Sequence, residues 1–389
     1  MSHVFSASRS LYALAAVVVS AVLAGGVGAG LSFLIEALNA VGELELVARL
    51  AVAALLGAAC GTGWWWLRRG GPVTSVNAAL SQERRLPFLR TVADALLQVV
   101  CVGAGASLGR EQAPRQVASS IADFFAARID PQMRARIVAG AAGAGLAAVY
   151  NVPLAGAIYA IEILPIKRDK TFYAVALAMS TIATLVARTV TGSQAFYTLP
   201  AMRLSFAQLA WLVPLLLLVV AVGVAFRRIL LRRFHLPANT LPVAIAVVVA
   251  ASAAMDHLLP GISGNGQRVL DDLWSAPAGW QALLAILVAK AAFTWFAIAA
   301  GAAGGILTPS LALGGLAGGL LSLGSGALGV ETSFPAAVLL GAIGVLTITQ
   351  RAPFFAIAFG LELTHAPWEL YPPAIALGFA AFYATKRRR

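Results

Sequence analysis

Charge is what this chain has least of. Only 11% of its 389 residues are charged, 60% are hydrophobic, and the mean hydropathy is +0.85. An ordinary soluble domain carries roughly 25% charged residues. A soluble globule of this length could not bury so much apolar surface, which excludes a cytosolic enzyme, a secreted disulfide scaffold and a disordered chain. Cysteine is nearly absent: Cys60 and Cys101 lie inside apolar runs, outside any CxxC or Cys/His spacing that would hold zinc. They read as small buried apolar residues. The four histidines are isolated, so no metal site and no cofactor is expected. Alternating segments of ~10 residues, the mark of a membrane barrel, are missing.

The net charge of +12 is not a nucleic-acid footprint. The basic residues form short clusters between apolar runs: Arg68-Arg69, Arg84-Arg85, Lys167-Arg168 with Lys170, Arg227-Arg228 with Arg232-Arg233, and Lys386 to Arg389. Such clusters read as cytoplasmic loop anchors of a membrane protein. Trp64-Trp65-Trp66 before Arg68 reads as an interfacial aromatic belt. Arg9 followed by Leu11 to Leu23 imitates a signal peptide, but the apolar run continues toward Leu38 without a good cleavage site. A first membrane helix is expected there.

What is abundant is apolar length and glycine. Runs near 11–38, 46–67, 171–190, 207–226, 240–259 and 280–299 are long enough to cross ~30 Å of hydrocarbon. Those near 115–127, 135–150, 152–164, 309–325, 333–348 and 352–363 look too short and are cut by Gly and Pro. Short spans cannot face lipid, because their open backbone groups must be buried or line a polar cavity. Interrupted helices of this kind hold ion sites in transporters. The 37 glycines suit close helix packing. The reading is an all-α polytopic membrane protein, one membrane domain over 1–389, destined for a cell (inner) membrane.

An internal repeat divides that domain. Asn151-Val-Pro-Leu-Ala-Gly-Ala-Ile-Tyr-Ala-Ile-Glu162 resembles Arg351-Ala-Pro-Phe-Phe-Ala-Ile-Ala-Phe-Gly-Leu-Glu362 at a constant offset of 200. Gly109-Arg-Glu-Gln-Ala-Pro114 has a looser echo in Gly304-Gly-Ile-Leu-Thr-Pro309. The halves are placed at 46–226 and 239–385, with the basic linker 227–238 between them. This pattern alone leaves parallel and inverted repeats both open.

Four groups of residues are candidates for chemistry. Glu111 follows a glycine-rich stretch and precedes Pro114, so it stands at a helix start. A carboxylate there is stabilised by the helix dipole, and the same N–H groups would bind an anion if it moved aside. Glu111 is therefore either a gate or a helix cap paired with Arg110. Pro309 places the amides of Ile306 and Leu307 at a second helix start; simple glycine packing is the alternative. Glu162 and Glu362 are acids on apolar helices, either functional or capping a neighbouring terminus. Gly105-Ala-Ser-Leu-Gly109 fits G-x-S-x-G, which would make Ser107 the nucleophile of a membrane-embedded hydrolase. Its flanks read as helix, and only His257 and His365 are available as bases.

Together these residues resemble the CLC family of chloride channels and proton-coupled anion antiporters. The similarity spans about residues 50 to 384. It is strongest over Gly143-Ala-Gly-Leu-Ala-Ala-Val-Tyr-Asn-Val-Pro-Leu-Ala-Gly156. Gly109-Arg110-Glu111 is similar to the start of the family's GREGP motif, and Gly304 to Pro309 to its GxFxP motif. The resemblance implies two inverted halves of interrupted, tilted helices, a homodimer in the bilayer, and one anion path per subunit. It makes Glu111 the gating glutamate. It implies anion contacts at Arg110, Gln112, Ile306 and Leu307, and at Gly71 or Pro72 where the family carries a central serine.

The departures shape the expected function. No hydroxyl is guaranteed at Gly71-Pro72, although Thr74 or Ser75 could substitute by a local shift. Arg115 adds a charge where the family is usually apolar. Ile163 stands where antiporters of the family often carry an internal proton-transfer glutamate, leaving Glu162 as the candidate proton path. Tyr383 lies too early to be the family's anion-contacting tyrosine. The expected function is passage of a small monovalent anion, chloride by default, channel-like or weakly proton-coupled. The alternatives are a proton/anion antiporter for chloride or fluoride, the Ser107 hydrolase, and a non-conducting relative. No enzymatic activity and no nucleic-acid partner are expected.

Overall fold

The computed structural model describes residues 2–202, 210–232, 236–275, 278–330 and 332–386, with side chains from Ser10 onward. Arg233 and Arg387 to Arg389 of the basic clusters, and 207–209 of the span expected at 207–226, lie outside the described residues. Among those described there are sixteen α-helices. They are α1 (Ser2–Asn39), α2 (Leu46–Arg68), α3 (Val76–Ser81), α4 (Phe88–Gly103), α5 (Gln112–Phe125), α6 (Pro131–Tyr150), α7 (Pro153–Ile163) and α8 (Lys170–Thr191). They continue with α9 (Leu212–Leu231), α10 (Leu241–Leu258), α11 (Gln267–Ser275), α12 (Trp280–Ala299), α13 (Leu307–Ala327), α14 (Phe334–Gln350), α15 (Pro353–Leu363) and α16 (Tyr371–Lys386). The only extended pairing among the described residues is one isolated bridge between Gly109 and Gly305.

The helices begin and end where local chemistry requires. Asp130 caps α6 by accepting from the Met133 N–H, and Pro131 fits the first turn. Asn151 ends α6 in the left-handed conformation at φ 59°, and Pro153 then starts α7. The second copy repeats this: Arg351 ends α14 at φ 57°, and Pro353 starts α15. The sequence repeat is thus a repeat of structure at these positions.

The chain forms two compact units. The first comprises residues 1–37, 67–99 and 111–194. Its core is largely alanine: Ala21, Ala24, Ala118, Ala122, Ala141, Ala144 and Ala183 are packed with Ile137 and Met179. Glycines set the spacing. A Cβ on Gly28 of α1 would lie 2.5 Å from that of Ala148, and one on Gly145 of α6 would lie 2.4 Å from the Pro114 carbonyl oxygen. Apolar surface gives no drive for association in lipid, so such close backbone contact is what holds these helices.

The second unit comprises 38–66, 100–110 and 195–389. Its centre is α13 against α14, where a Cβ on Gly314 would lie 2.3 Å from the Gly341 carbonyl oxygen. Among the described residues, seven helices are long and apolar enough to cross a membrane. One of them is α13, at 21 residues longer than expected for 309–325; its glycines pack within the helix rather than break it. Its apolar window is 78% buried, against 22% for α2, α9 and α12, so α13 is interior and those three face outward. The Trp belt is narrower than expected: Trp64 is fully buried and Trp66 is exposed. Cys60 and Cys101 are buried free thiols, as expected.

Candidate functional site

The site grows from two matching turns in the second unit. At the end of α4, Ala106 N–H donates to Cys101 O (3.0 Å) and Gly105 N–H to Val102 O (3.1 Å). At the end of α12, Ala302 N–H donates to Ala297 O (3.1 Å) and Gly301 N–H to Ile298 O (3.0 Å). Both are Schellman closures, which need a left-handed residue, and glycine supplies it at φ 125° and 92°. The loops that follow are stapled together. Gly109 N–H donates to Gly305 O and Gly305 N–H to Gly109 O, each at 2.7 Å.

From the second loop the chain enters α13. Ile306 is its N-cap, and no side chain caps this end; Leu307 and Pro309 of the first turn are buried. From the first loop the chain passes Arg110, whose Nη2 donates to Gln267 Oε1 (2.9 Å) on α11. Gln267 N–H is in turn held by Asn265 Oδ1 (3.1 Å).

Glu111 opens the portion of the first unit that contains α5. It is fully buried at the N-cap of α5, and its side chain makes no capping bond to that helix. Gln112, the first residue of α5, is half-buried. Arg115 Nε donates to the Glu111 carbonyl oxygen (2.7 Å), and its Nη1 to the Tyr159 hydroxyl (2.6 Å) on α7. The extra charge at Arg115 is thus anchored to a phenol and a carbonyl.

Gly71 and Pro72 also belong to the first unit. Gly71, at φ 102°, accepts from Arg90 Nη2 (3.0 Å), and Pro72 is exposed. The Ser75 hydroxyl is engaged as the cap of α3, accepting from Ala78 N–H (3.2 Å). Glu162 lies near the C-terminus of α7, half-buried, where Arg168 Nη2 donates to its carbonyl (3.0 Å). So the structure gathers Gly71, Pro72, Glu111, Gln112 and Glu162 in one unit, and Arg110, Ile306 and Leu307 in the other. Ser107 is buried with its hydroxyl 3.3 Å from that of Thr294, whereas His257 and His365 are exposed.

Two polar groups escaped the sequence reading. Lys290 of α12 is fully buried, its ammonium donating to Ile262 O (2.9 Å) and Gly264 O (2.8 Å). In the first unit, Asp94 and Gln98 of α4 join Gln116 of α5 in a buried cluster. The one available signal was a lone charge or amide within an otherwise apolar helix.

Helices of membrane-crossing length and apolar composition define a multi-pass membrane protein. The chain belongs to the voltage-gated chloride channel family: residues 62–386 match the family described as "Voltage gated chloride channel". It is 28% identical over 342 residues to a putative ClcB-like chloride channel protein of Ralstonia nicotianae, covering 83% of this chain and 79% of that one. It is 27% identical over 363 residues to the H(+)/Cl(-) exchange transporter ClcA of Vibrio campbellii, covering 85% and 76%. In fold it matches a slow cyanobacterial Cl-/H+ antiporter at a TM-score of 0.87 and 20% identity, covering 96% of this chain and 94% of that one. It also matches a CLC-type fluoride/proton antiporter at 0.77 and 20%, covering 97% and 95%. The protein is an anion transporter or channel of this family, with the expected all-helical fold.

Proposed function

We propose that the chain passes a small monovalent anion, chloride by default, along a path gated by Glu111. One observation carries this: a carboxylate fully buried at the N-terminus of a helix. Such a group occupies the place where the helix amides and dipole would hold an anion. Carboxylate and anion then compete for one site, and protonation releases the carboxylate. Arg110, Gln112, Gly71, Pro72, and the Ile306 and Leu307 amides are the proposed anion contacts. The working form is a homodimer in a cell inner membrane, with repeat halves at 46–226 and 239–385 and no enzymatic role. Ser107 gives no support to a hydrolase, since its hydroxyl faces a threonine and both candidate bases, His257 and His365, are exposed.

Ile163 removes the usual internal acid from the end of α7, which favours channel-like or weakly coupled transport. The coupled alternative is supported by relatives and neighbours described as proton exchangers. Purified protein in chloride-loaded liposomes, with a potassium ionophore, tests the gate. Anion efflux rises as pH falls, because protonation removes the competing charge. Glu111→Gln makes efflux fast and flat across pH. An unchanged pH profile in Glu111→Gln removes the gating role.

A further inference from the structure

The route from Glu111 into the first unit contains a second buried acid. Asp94 is 3% exposed, Gln98 is fully buried and Gln116 is 3% exposed. Gln98 Nε2 donates to Asp94 Oδ2 (2.7 Å) and to Gln116 Oε1 (2.7 Å), and Gln116 Nε2 also reaches Asp94 Oδ2 (3.2 Å). Helix α4 runs antiparallel to α5: Leu86 N–H, just before α4, is held by Asp123 Oδ2 (2.8 Å) near the end of α5. Along this pair the order is Gly71 with Arg90, then Asp94, then Gln98 with Gln116, then Glu111. Gln116 is five residues from Glu111, about 7.5 Å along a helix axis.

We propose that Asp94 is the inner proton-binding carboxylate of this protein, exchanging protons with Glu111 past Gln98 and Gln116. This rests on the anion-transport reading above and names the proton site that α7 lacks. The cluster suits two protonation states. With Asp94 ionised, both amides present N–H to it, as seen. With Asp94 protonated, a half-turn of the Gln98 amide presents a carbonyl to the new O–H, since an amide carries donor and acceptor on one planar group. Gln98 Oε1 accepts no hydrogen bond among the described residues. A buried acceptor without a protein donor suits a bridging water.

The surrounding charges leave Asp94 the acid in this position. Arg68 at the end of α2 is the cation that interacts with it electrostatically. Arg90 of α4 is engaged with the Leu67 and Gly71 carbonyls. On α5, Arg115 is engaged with Tyr159, and Asp123 with Arg134 and Leu86.

Chloride efflux and internal pH are recorded together in liposomes for the wild type, Asp94→Asn, Asp94→Glu and Glu111→Gln. The proposal requires the weakly coupled form of transport, so the wild type is expected to move protons against chloride. Asp94→Asn cuts proton movement at least about tenfold while chloride efflux stays within about threefold, and Asp94→Glu restores proton movement. Unchanged proton movement in Asp94→Asn overturns the proposal. So does wild-type chloride flux with no linked protons, which leaves anion transport standing; absence of any anion flux instead removes the transport reading itself. Should Asp94→Asn not fold, wild-type protein treated with dicyclohexylcarbodiimide decides. This reagent modifies protonated carboxyls in apolar surroundings. Adduct on Asp94, found by peptide mass spectrometry and increasing as pH falls, is the expected result; no adduct at any pH overturns the proposal.

Discussion

Lys290 shows how one side chain fixes a loop inside the membrane domain. Its ammonium binds two carbonyls of the 261–266 turn, and Asp256 Oδ1 binds the Gly261 and Ser263 N–H groups of that turn from another side. Arg49 completes the set with a 2.6 Å bond to the other oxygen of Asp256. Lys290→Met keeps the volume and strands one buried and one half-buried carbonyl, so the protein loses about 1–3 kcal/mol; an unchanged unfolding temperature in detergent argues against this. Asp169 offers a pH signature. The Phe172 N–H, then Arg136, hold its carboxyl below the usual aspartate range. A depressed acid stabilises above its unfolded pKa, near 3.9, and that contribution is lost as pH falls below it. The stability gap between wild type and Asp169→Asn is therefore constant at neutral pH and closes in acid, measured as unfolding temperature against pH. The sequence made Glu111 legible because glycine and proline mark its helix start. Asp94, Gln98 and Gln116 were not legible, because their meeting depends on the register of two helices that no local pattern encodes.

Among the elements, α13 was the one whose length the sequence concealed. Gly314, Gly315, Gly318 and Gly319 lie in mid-helix, where glycine ordinarily weakens a helix by about 1 kcal/mol. In this position they let α14 and its neighbours approach: a Cβ at Gly318 would sit 1.9 Å from the Ala337 carbonyl oxygen. A break and a packing face look alike in a one-dimensional pattern. Gly318→Ala must push α14 away and costs about 1–3 kcal/mol by overpacking. Gly324→Ala on the same helix meets nothing within 4 Å and gains up to about 1 kcal/mol of helix propensity. Thermal unfolding of the pair separates the two roles, and equal effects would contradict this account. The helix boundaries at Asn151-Pro153 and Arg351-Pro353 were legible, because a left-handed cap and a proline act locally.

On the scale of the whole molecule, the basic clusters set sidedness. Arg84, Arg85, Arg134, Arg136 and Lys167 line one pocket of the first unit, although they are far apart in sequence. A membrane impermeable to such groups keeps them on one face, and the charge bias of membrane proteins predicts that this face is cytoplasmic. Single cysteines at Arg85 and Lys167 should react with an impermeant maleimide from the same side of oriented vesicles. Reaction from opposite sides would break this topology. Cys60 and Cys101 are buried and add little background.

The staple between Gly109 and Gly305 has a historical meaning. Each glycine follows an equivalent Schellman turn, and each donates to and accepts from the other. Reciprocal bonding between equivalent positions is the mark of an isologous contact, the kind two identical chains make across a dyad. A half-length ancestor, present as two separate copies, could have formed this same pair of bonds between molecules. Fusion of those copies would have kept the dyad while freeing its two sides to diverge, leaving Glu111 at the N-cap of α5 and Ile306 at that of α13.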